Sequence, residues 1–415
     1  MSKILIYRYI DIFNNTDYST LHIKVNKDFG GECPNFGNKL WYQGIISEIS
    51  TKENEIDFYN GKDTPDEISN RYDLVIYPMA NIFSLEFSSG LDVISEFIEK
   101  LSIPIYIISC GVQADSYDDL NDLCSSIGDV SKRFIKAVYN TGGQFALRGY
   151  FTAEFFKNLG FNNPAVVGCP SLFQCGRNLK ITKKNICKND FKSALNGNLK
   201  IVGRFLKEYS NSIFYDQDVF YNLIYNPDFF STKKGNLFNK IKFLRYHDNG
   251  FLLAELTSNN RLKLIADMWD WKNDIIKENI NFSFGTRIHG NIMALLAGVP
   301  SIVIGFDTRT RELAEFYDIP CFSVSEVNDV SNLFDIYERL DYDKFNKSFS
   351  NKFDDFNDFL VKYNIVDKIN ENNKFMKRES NFKMKYENAL SLKYANEIMD
   401  KKLFYMLFEK LIKVI

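Results

Sequence analysis

The sequence predicts two doubly wound α/β domains facing a cleft, and three observations predict it. Apolar runs of strand length alternate with helical patterns up to about residue 345, as in a parallel sheet flanked by helices. A polar, Lys- and Asn-rich stretch at 176–198 interrupts this once and reads as a linker. A chain of 415 residues with 45% hydrophobic content is large enough for two cores. The expected division is residues 1–175, a first domain; 176–198, the linker; 199–345, a second domain; and 346–415, a charged helical extension.

The elements follow in order. Lys3 to Tyr9 reads as a strand and Gly37 to Ile49 as a helix, with Leu40, Ile45, Ile46 and Ile49 on one face. Asp73 to Tyr77 is a strand, Val93 to Leu101 a helix, and Pro104 to Ser109 a strongly apolar strand. Phe145 to Arg148, Thr152 to Leu159 and Ala165 to Val167 read as strand, helix and strand. The second series is expected to open with a strand at Leu199 to Arg204, and Leu262 to Trp271 to be helical. Residues 206–250 show no clean period. Ile280 to Phe284, His289 to Ala297 and the strand after Pro300 form a βαβ unit, followed by a helix at Thr310 to Phe316 and a strand at Cys321 to Val324.

Composition removes several function classes. A formal net charge of -2 gives no basic footprint for nucleic acid. Seven scattered cysteines without CxxC spacing favour reduced thiols in a cytoplasm, and no metal spacing is present. Lys3, Arg8 and Asp11 interrupt the first residues, which make a poor signal peptide, and no long uncharged apolar run is present. Residues 374–415 hold ten Lys/Arg against five Asp/Glu. The preferred reading there is a helix packed on the body with solvated lysines; the alternative is an amphipathic helix at the inner membrane surface.

The most informative segment is Gly285-Thr286-Arg287-Ile288-His289-Gly290, at a strand-to-helix turn. Ligands of such folds bind where strand ends open into helices, and the unpaired N–H groups of a helix start favour anions. A helix-end histidine alone has about even odds of being structural. Residues two apart share no helix face, so Arg287 and His289 can meet one ligand only if Arg287 lies in the turn and the helix starts near His289. Arg309 and Arg311 follow the next strand; Arg311 can pair with Glu315, whereas Arg309 has no such i,i+4 partner. Arg204 and Arg148 are also expected to end strands. Four strand-ending arginines suggest a polyanionic ligand. In the first domain, Asn35 or Asn38 could cap the helix after Pro34-Asn35-Phe36-Gly37-Asn38, and that turn could approach a ligand. GxGxxG, P-loop, GxSxG and HExxH patterns are absent.

These residues resemble the polysaccharide pyruvyl transferase family. Thr286-Arg287-Ile288-His289-Gly290, Ala297-Gly298-Val299-Pro300 and Phe306-Asp307-Thr308-Arg309 are similar to its S-R-L-H, A-G-x-P and Y-D-x-K signature. Asn35-Phe36-Gly37-Asn38, Ser109-Cys110-Gly111-Val112, Leu147 to Thr152 and Ile201-Val202-Gly203-Arg204 resemble further family segments. Three positions depart: Asn38 replaces Asp, Tyr77-Pro78-Met79-Ala80-Asn81 replaces a Gly-rich turn, and Cys169-Pro170 replaces D-P. By this resemblance the departures fall at the first-domain end of the cleft, where the sugar acceptor is expected. The resemblance implies a GT-B-like fold and pyruvyl transfer from phosphoenolpyruvate to two hydroxyls of a sugar or lipid-linked oligosaccharide. His289 would act as general acid with Arg287. Arg204, Arg309, Thr286, Arg148, Asn35, Gly37 and Asn38 would bind substrate, with no metal or cofactor. The alternatives are a GT-B glycosyltransferase using a nucleotide sugar and a non-catalytic glycan-binding member of the family.

Overall fold

The computed structural model describes residues 2–7, 37–217 and 252–367, apart from positions 52, 60, 253, 254, 257, 258, 264, 266 and 267. Two six-stranded sheets, each wholly parallel, carry the fold. The first comprises β1 (Ser2–Ile6), β2 (Asn54–Phe58), β3 (Leu74–Pro78), β4 (Ile105–Cys110), β5 (Gln144–Leu147) and β6 (Ala165–Val166), in the order β2-β1-β3-β4-β5-β6. Its helices are α1 (Gly37–Ile49), α2 (Pro65–Arg71), α3 (Ser88–Ile98), α4 (Leu120–Asn140) and α5 (Tyr150–Asn158). Strands β3 and β4 are buried along their whole length, which is why they read as unbroken apolar runs.

The second sheet comprises β7 (Ser193–Asn196), β8 (Ile213–Tyr215), β9 (Leu262–Lys263), β10 (Phe282–Gly285), β11 (Ser301–Gly305) and β12 (Cys321–Ser323), in the order β12-β11-β10-β7-β8-β9. Its helices are α6 (Leu199–Glu208), α7 (Met268–Lys277), α8 (Ile288–Leu296), α9 (Thr308–Tyr317), α10 (Val324–Asn328) and α11 (Leu333–Arg339). The expected two-domain, Rossmann-like, GT-B-like architecture is present. Among the described residues no helix is long and apolar enough to cross a membrane.

Three boundaries differ from expectation. Leu199 to Arg204 is not a strand but the start of α6. Asn198 caps that helix by accepting from the Lys200 N–H, and Leu199, Val202, Phe205 and Leu206 bury one helical face. The opening strand of the second sheet is instead Ser193–Asn196, inside the stretch read as linker. Its Ser and Asn side chains hid it, although Ser193 finds a buried partner in the Ser212 hydroxyl at 2.6 Å. Leu262 to Trp271 splits into β9 and the start of α7.

The chain then returns to the first domain. Helix α12 (Asp343–Lys362) buries Phe345, Phe349, Phe353, Phe356 and Phe359 along one stripe. Phe356 stacks on Phe173 at 5.2 Å between ring centroids, and Arg177 grips Asp354 through two bonds of 2.8 and 2.7 Å. The carbonyls of Tyr363 and Ile365 accept from Tyr106 and Asn54 of the first domain. One apolar layer therefore runs through both halves, from Ile4 and Trp41 to Ile292, Met293 and the α12 phenylalanines. The membrane-surface reading of residues 374–415 lies outside the described residues, as do Asn35, His22 and His247.

Candidate anion-binding site between the domains

In the second sheet the strand order reverses between β7 and β10. A doubly wound sheet leaves a crevice at the carboxyl ends of such a pair. The turns following both strands are tied together there. Asn196 Oδ1 accepts from the Arg287 N–H at 3.0 Å, and Thr286 Oγ1 accepts from the Asn198 N–H at 2.9 Å. Asn291, on the first turns of α8, donates to the carbonyls of Gly285 and Arg287 and accepts from Ser283. Gly197 makes the approach possible. Its φ is +88°, and a Cβ there would stand 2.1 Å from Thr286 Oγ1. Gly197→Ala is expected to cost at least ~1 kcal/mol from the backbone alone, measured as a lowered denaturation midpoint.

Arg287 lies in the turn at the N-cap of α8, with extended backbone, and the helix opens at Ile288. That is the geometry the sequence required for Arg287 and His289 to act together. His289 is 7% exposed. Its pKa is held well below the ordinary histidine value, first by burial and then by the positive charges of Arg148, Arg309 and Arg287. Three arginines from three separate strand ends thus bear on one buried imidazole, which is neutral at neutral pH. Acting as an acid there requires an anion to arrive and offset those cations, a condition that the sequence did not reveal.

Arg148, at the end of β5, comes from the first domain. It is 3% exposed; Nε donates to the Ser109 hydroxyl at 3.2 Å, while Nη2 is buried with no hydrogen-bond partner. A buried guanidinium nitrogen without a partner is costly and marks a place for an acceptor. Ser109 itself has φ +70° at a register shift in β4, a left-handed conformation unusual for serine and the kind of strain that gathers at functional sites. Arg309 arrives differently. Its Nε and Nη2 both bond Asp307 Oδ2, at 2.9 and 2.5 Å, so the residue without an i,i+4 partner pairs with the carboxylate two positions before it. The other Asp307 oxygen caps α9 through the Thr310 N–H and hydroxyl.

The chain belongs to the polysaccharide pyruvyl transferase family. The family model matches residues 6–308, which include both halves of this site. The family assignment supports a polysaccharide-modifying transferase and implies a sugar or polysaccharide acceptor. No curated protein matches the chain significantly. Among solved structures, S. aureus MnaA bound to UDP is similar at 12% identity and a TM-score of 0.43, over 92% of this chain and 100% of that one. The UDP-GlcNAc 2-epimerase of Methanocaldococcus jannaschii is similar at 13% identity and a TM-score of 0.38, over 79% and 91%. The lipopolysaccharide outer core galactosyltransferase WaaB is similar at 12% identity and a TM-score of 0.35, over 87% and 99%.

The remaining residues of the pyruvyl transferase signature divide. Thr286 is buried and ties the two turns of the switch point together. Arg204 does not reach the site: it projects from α6, bonds the carbonyls of Val327 and Asn328, and lies over the Phe205 ring. Gly37 opens α1, and Asn38 Oδ1 accepts from Trp41 Nε1 at 3.3 Å. Arg311 donates to the Gly305 carbonyl, and Glu315 accepts from Tyr117 instead of pairing with Arg311. Cys169, placed by the sequence at the acceptor end, stands with Sγ 4.0 Å from His289 Nε2, so this departure from the family pattern touches the histidine itself.

One residue was not anticipated. Glu312 of α9 is 1% exposed and accepts from the Thr152 N–H at 3.0 Å and from its hydroxyl at 2.8 and 3.0 Å. Burial raises its pKa to about 7 against the opposing pull of the Thr152 bonds and Arg148. Its partner lies 160 residues away, and no local pattern announces it.

Proposed function

We propose that the protein transfers the pyruvyl group of phosphoenolpyruvate to two hydroxyls of one sugar, forming a cyclic ketal on a glycan or its lipid-linked precursor. The observation that carries this is the convergence of Arg148, Arg287 and Arg309 on the buried, neutral His289. Phosphoenolpyruvate brings a phosphate and a carboxylate, two anionic groups suited to three cations around one buried histidine, one of them with a buried guanidinium nitrogen that has no partner. Binding those anions offsets the arginines and raises the His289 pKa, so the site charges its own acid only when the donor is present.

The steps then balance. His289 gives a proton to the enol methylene, making it a methyl group and leaving positive charge on the carbon that bears phosphate. A sugar hydroxyl attacks that carbon and loses its proton; the C–O bond to phosphate breaks and phosphate leaves with its bonding electrons. The second hydroxyl closes the ring on the same carbon, and its proton is released. Arg148, Arg287 and Arg309 hold the carboxylate and departing phosphate throughout.

Isothermal calorimetry tests the donor. Phosphoenolpyruvate at millimolar concentration is expected to bind, with proton uptake visible as a buffer-dependent enthalpy. A protein that ignores phosphoenolpyruvate but is stabilised by a nucleotide sugar would instead be a glycosyltransferase on this scaffold.

A further inference from the structure

Helix α9 leaves the second sheet carrying Arg309 in its first turn, yet one of its faces is fastened to the first domain. The Thr308 N–H donates to the Ala114 carbonyl, and its hydroxyl accepts from the Ala114 N–H and donates to the Val112 carbonyl, all at 3.0 to 3.1 Å. One turn on, Glu312 reaches Thr152; one further, Glu315 accepts from the Tyr117 hydroxyl at 2.9 Å. These three positions share a face of one helix.

Glu312 is the buried member. The first turn of α5 has only Gly149 at its N-cap, with no side-chain cap of its own. The Glu312 carboxylate takes that place from the other domain, accepting the Thr152 N–H in the third position of the helix. Two glycines leave room for it: a Cβ on Gly149 would stand 2.9 Å from Glu312 Oε2, and one on Gly111 would stand 3.0 Å from Oε1 and 3.2 Å from Arg148 Cδ. Arg148 immediately precedes Gly149. Whatever fixes the start of α5 therefore fixes the guanidinium whose charge acts on His289.

We infer that Glu312 is a positioning residue: by capping α5 across the domain boundary it keeps Arg148 of one domain in register with His289 and Arg309 of the other. The ligand in this inference rests on the reading of the site as a phosphoenolpyruvate pocket, but the clasp itself does not.

The test uses the full chain with Glu312→Gln, which preserves size but replaces one acceptor oxygen with a donor. Phosphoenolpyruvate is titrated by calorimetry at pH 8, and hydrogen exchange is followed in peptides covering 111–115 and 149–153. The expected result is a Kd raised about tenfold or more with unchanged stoichiometry, and faster exchange in both peptides. A merely structural role would lower the stoichiometry through unfolded protein and leave the Kd of the folded fraction at the wild-type value; that result, or a Kd within twofold of wild type, overturns the inference. If wild-type protein fails to bind phosphoenolpyruvate, the function reading falls and exchange decides alone: wild-type protection in Glu312→Gln then overturns the clasp, and its loss supports it. If Glu312→Gln does not fold, Thr152→Val keeps the backbone N–H, removes the hydroxyl, and is expected to shift Kd and exchange in the same direction by less; no shift overturns the inference.

Discussion

His289→Gln is expected to lower turnover by about 10²–10⁴-fold, the usual range for loss of a positioned general acid, while phosphoenolpyruvate still binds but without the pH dependence that histidine protonation gives its affinity. Glutamine fills the space and keeps a polar head but cannot deliver a proton to carbon. The free site holds His289 neutral through burial and three neighbouring cations. The sign of the pH dependence follows. Donor binding raises the His289 pKa, so it takes up a proton, and apparent affinity should fall as pH rises from the free-state pKa, below 6.5, to that of the complex. Histidine NMR can follow this, since the chain has three histidines. An imidazole signal that titrates below 6.5 in free protein should move to higher pH with phosphoenolpyruvate. A His289→Gln protein with wild-type turnover would remove the acid role.

Arg148→Met is expected to weaken phosphoenolpyruvate binding by on the order of 100-fold, equivalent to about 2.8 kcal/mol, a usual loss for removing one partner of a desolvated charged pair. Methionine replaces part of the buried stem, so the loss falls mainly on the charge. The same variant should carry a second signature. Arg148 acts most strongly of the three cations that depress His289, so its removal should raise the histidine pKa in the free protein. Weaker donor binding together with a histidine that titrates higher is a pairing that general destabilisation would not produce. Calorimetry and NMR on one sample measure both.

What the sequence made legible followed local rules. The βαβ unit around His289 was readable because its strands are apolar runs ending at glycine, and the requirement that Arg287 sit in the turn came from helix geometry alone. Arg148 was readable as the end of a short apolar strand. Arg204 was misplaced because Ile201 and Val202 are β-branched and imitate a strand, while the capping Asn198 argued for a helix. Helix α2 carries a complete start signature, Thr64 with Pro65 behind it and Glu67 closing the capping box, which apolar periodicity alone does not show in so short a helix. Contacts formed only in three dimensions stayed out of reach. Arg309 and its neighbour Asp307 looked unrelated until the chain turned, Cys169 gave no sign of lying against His289, and Glu312 looked like an ordinary helical carboxylate.

The returning helix α12 has a consequence for how the molecule is made. Phe173, Tyr106 and Asn54 of the first domain have partners in Phe356, Tyr363 and Ile365. During synthesis the first domain leaves the ribosome with that face bare, and it stays bare while the entire second domain is translated. Native burial of the early half must therefore wait for nearly the last described residues, and a ribosome stalled before them would display an unfinished apolar surface suited to chaperone capture.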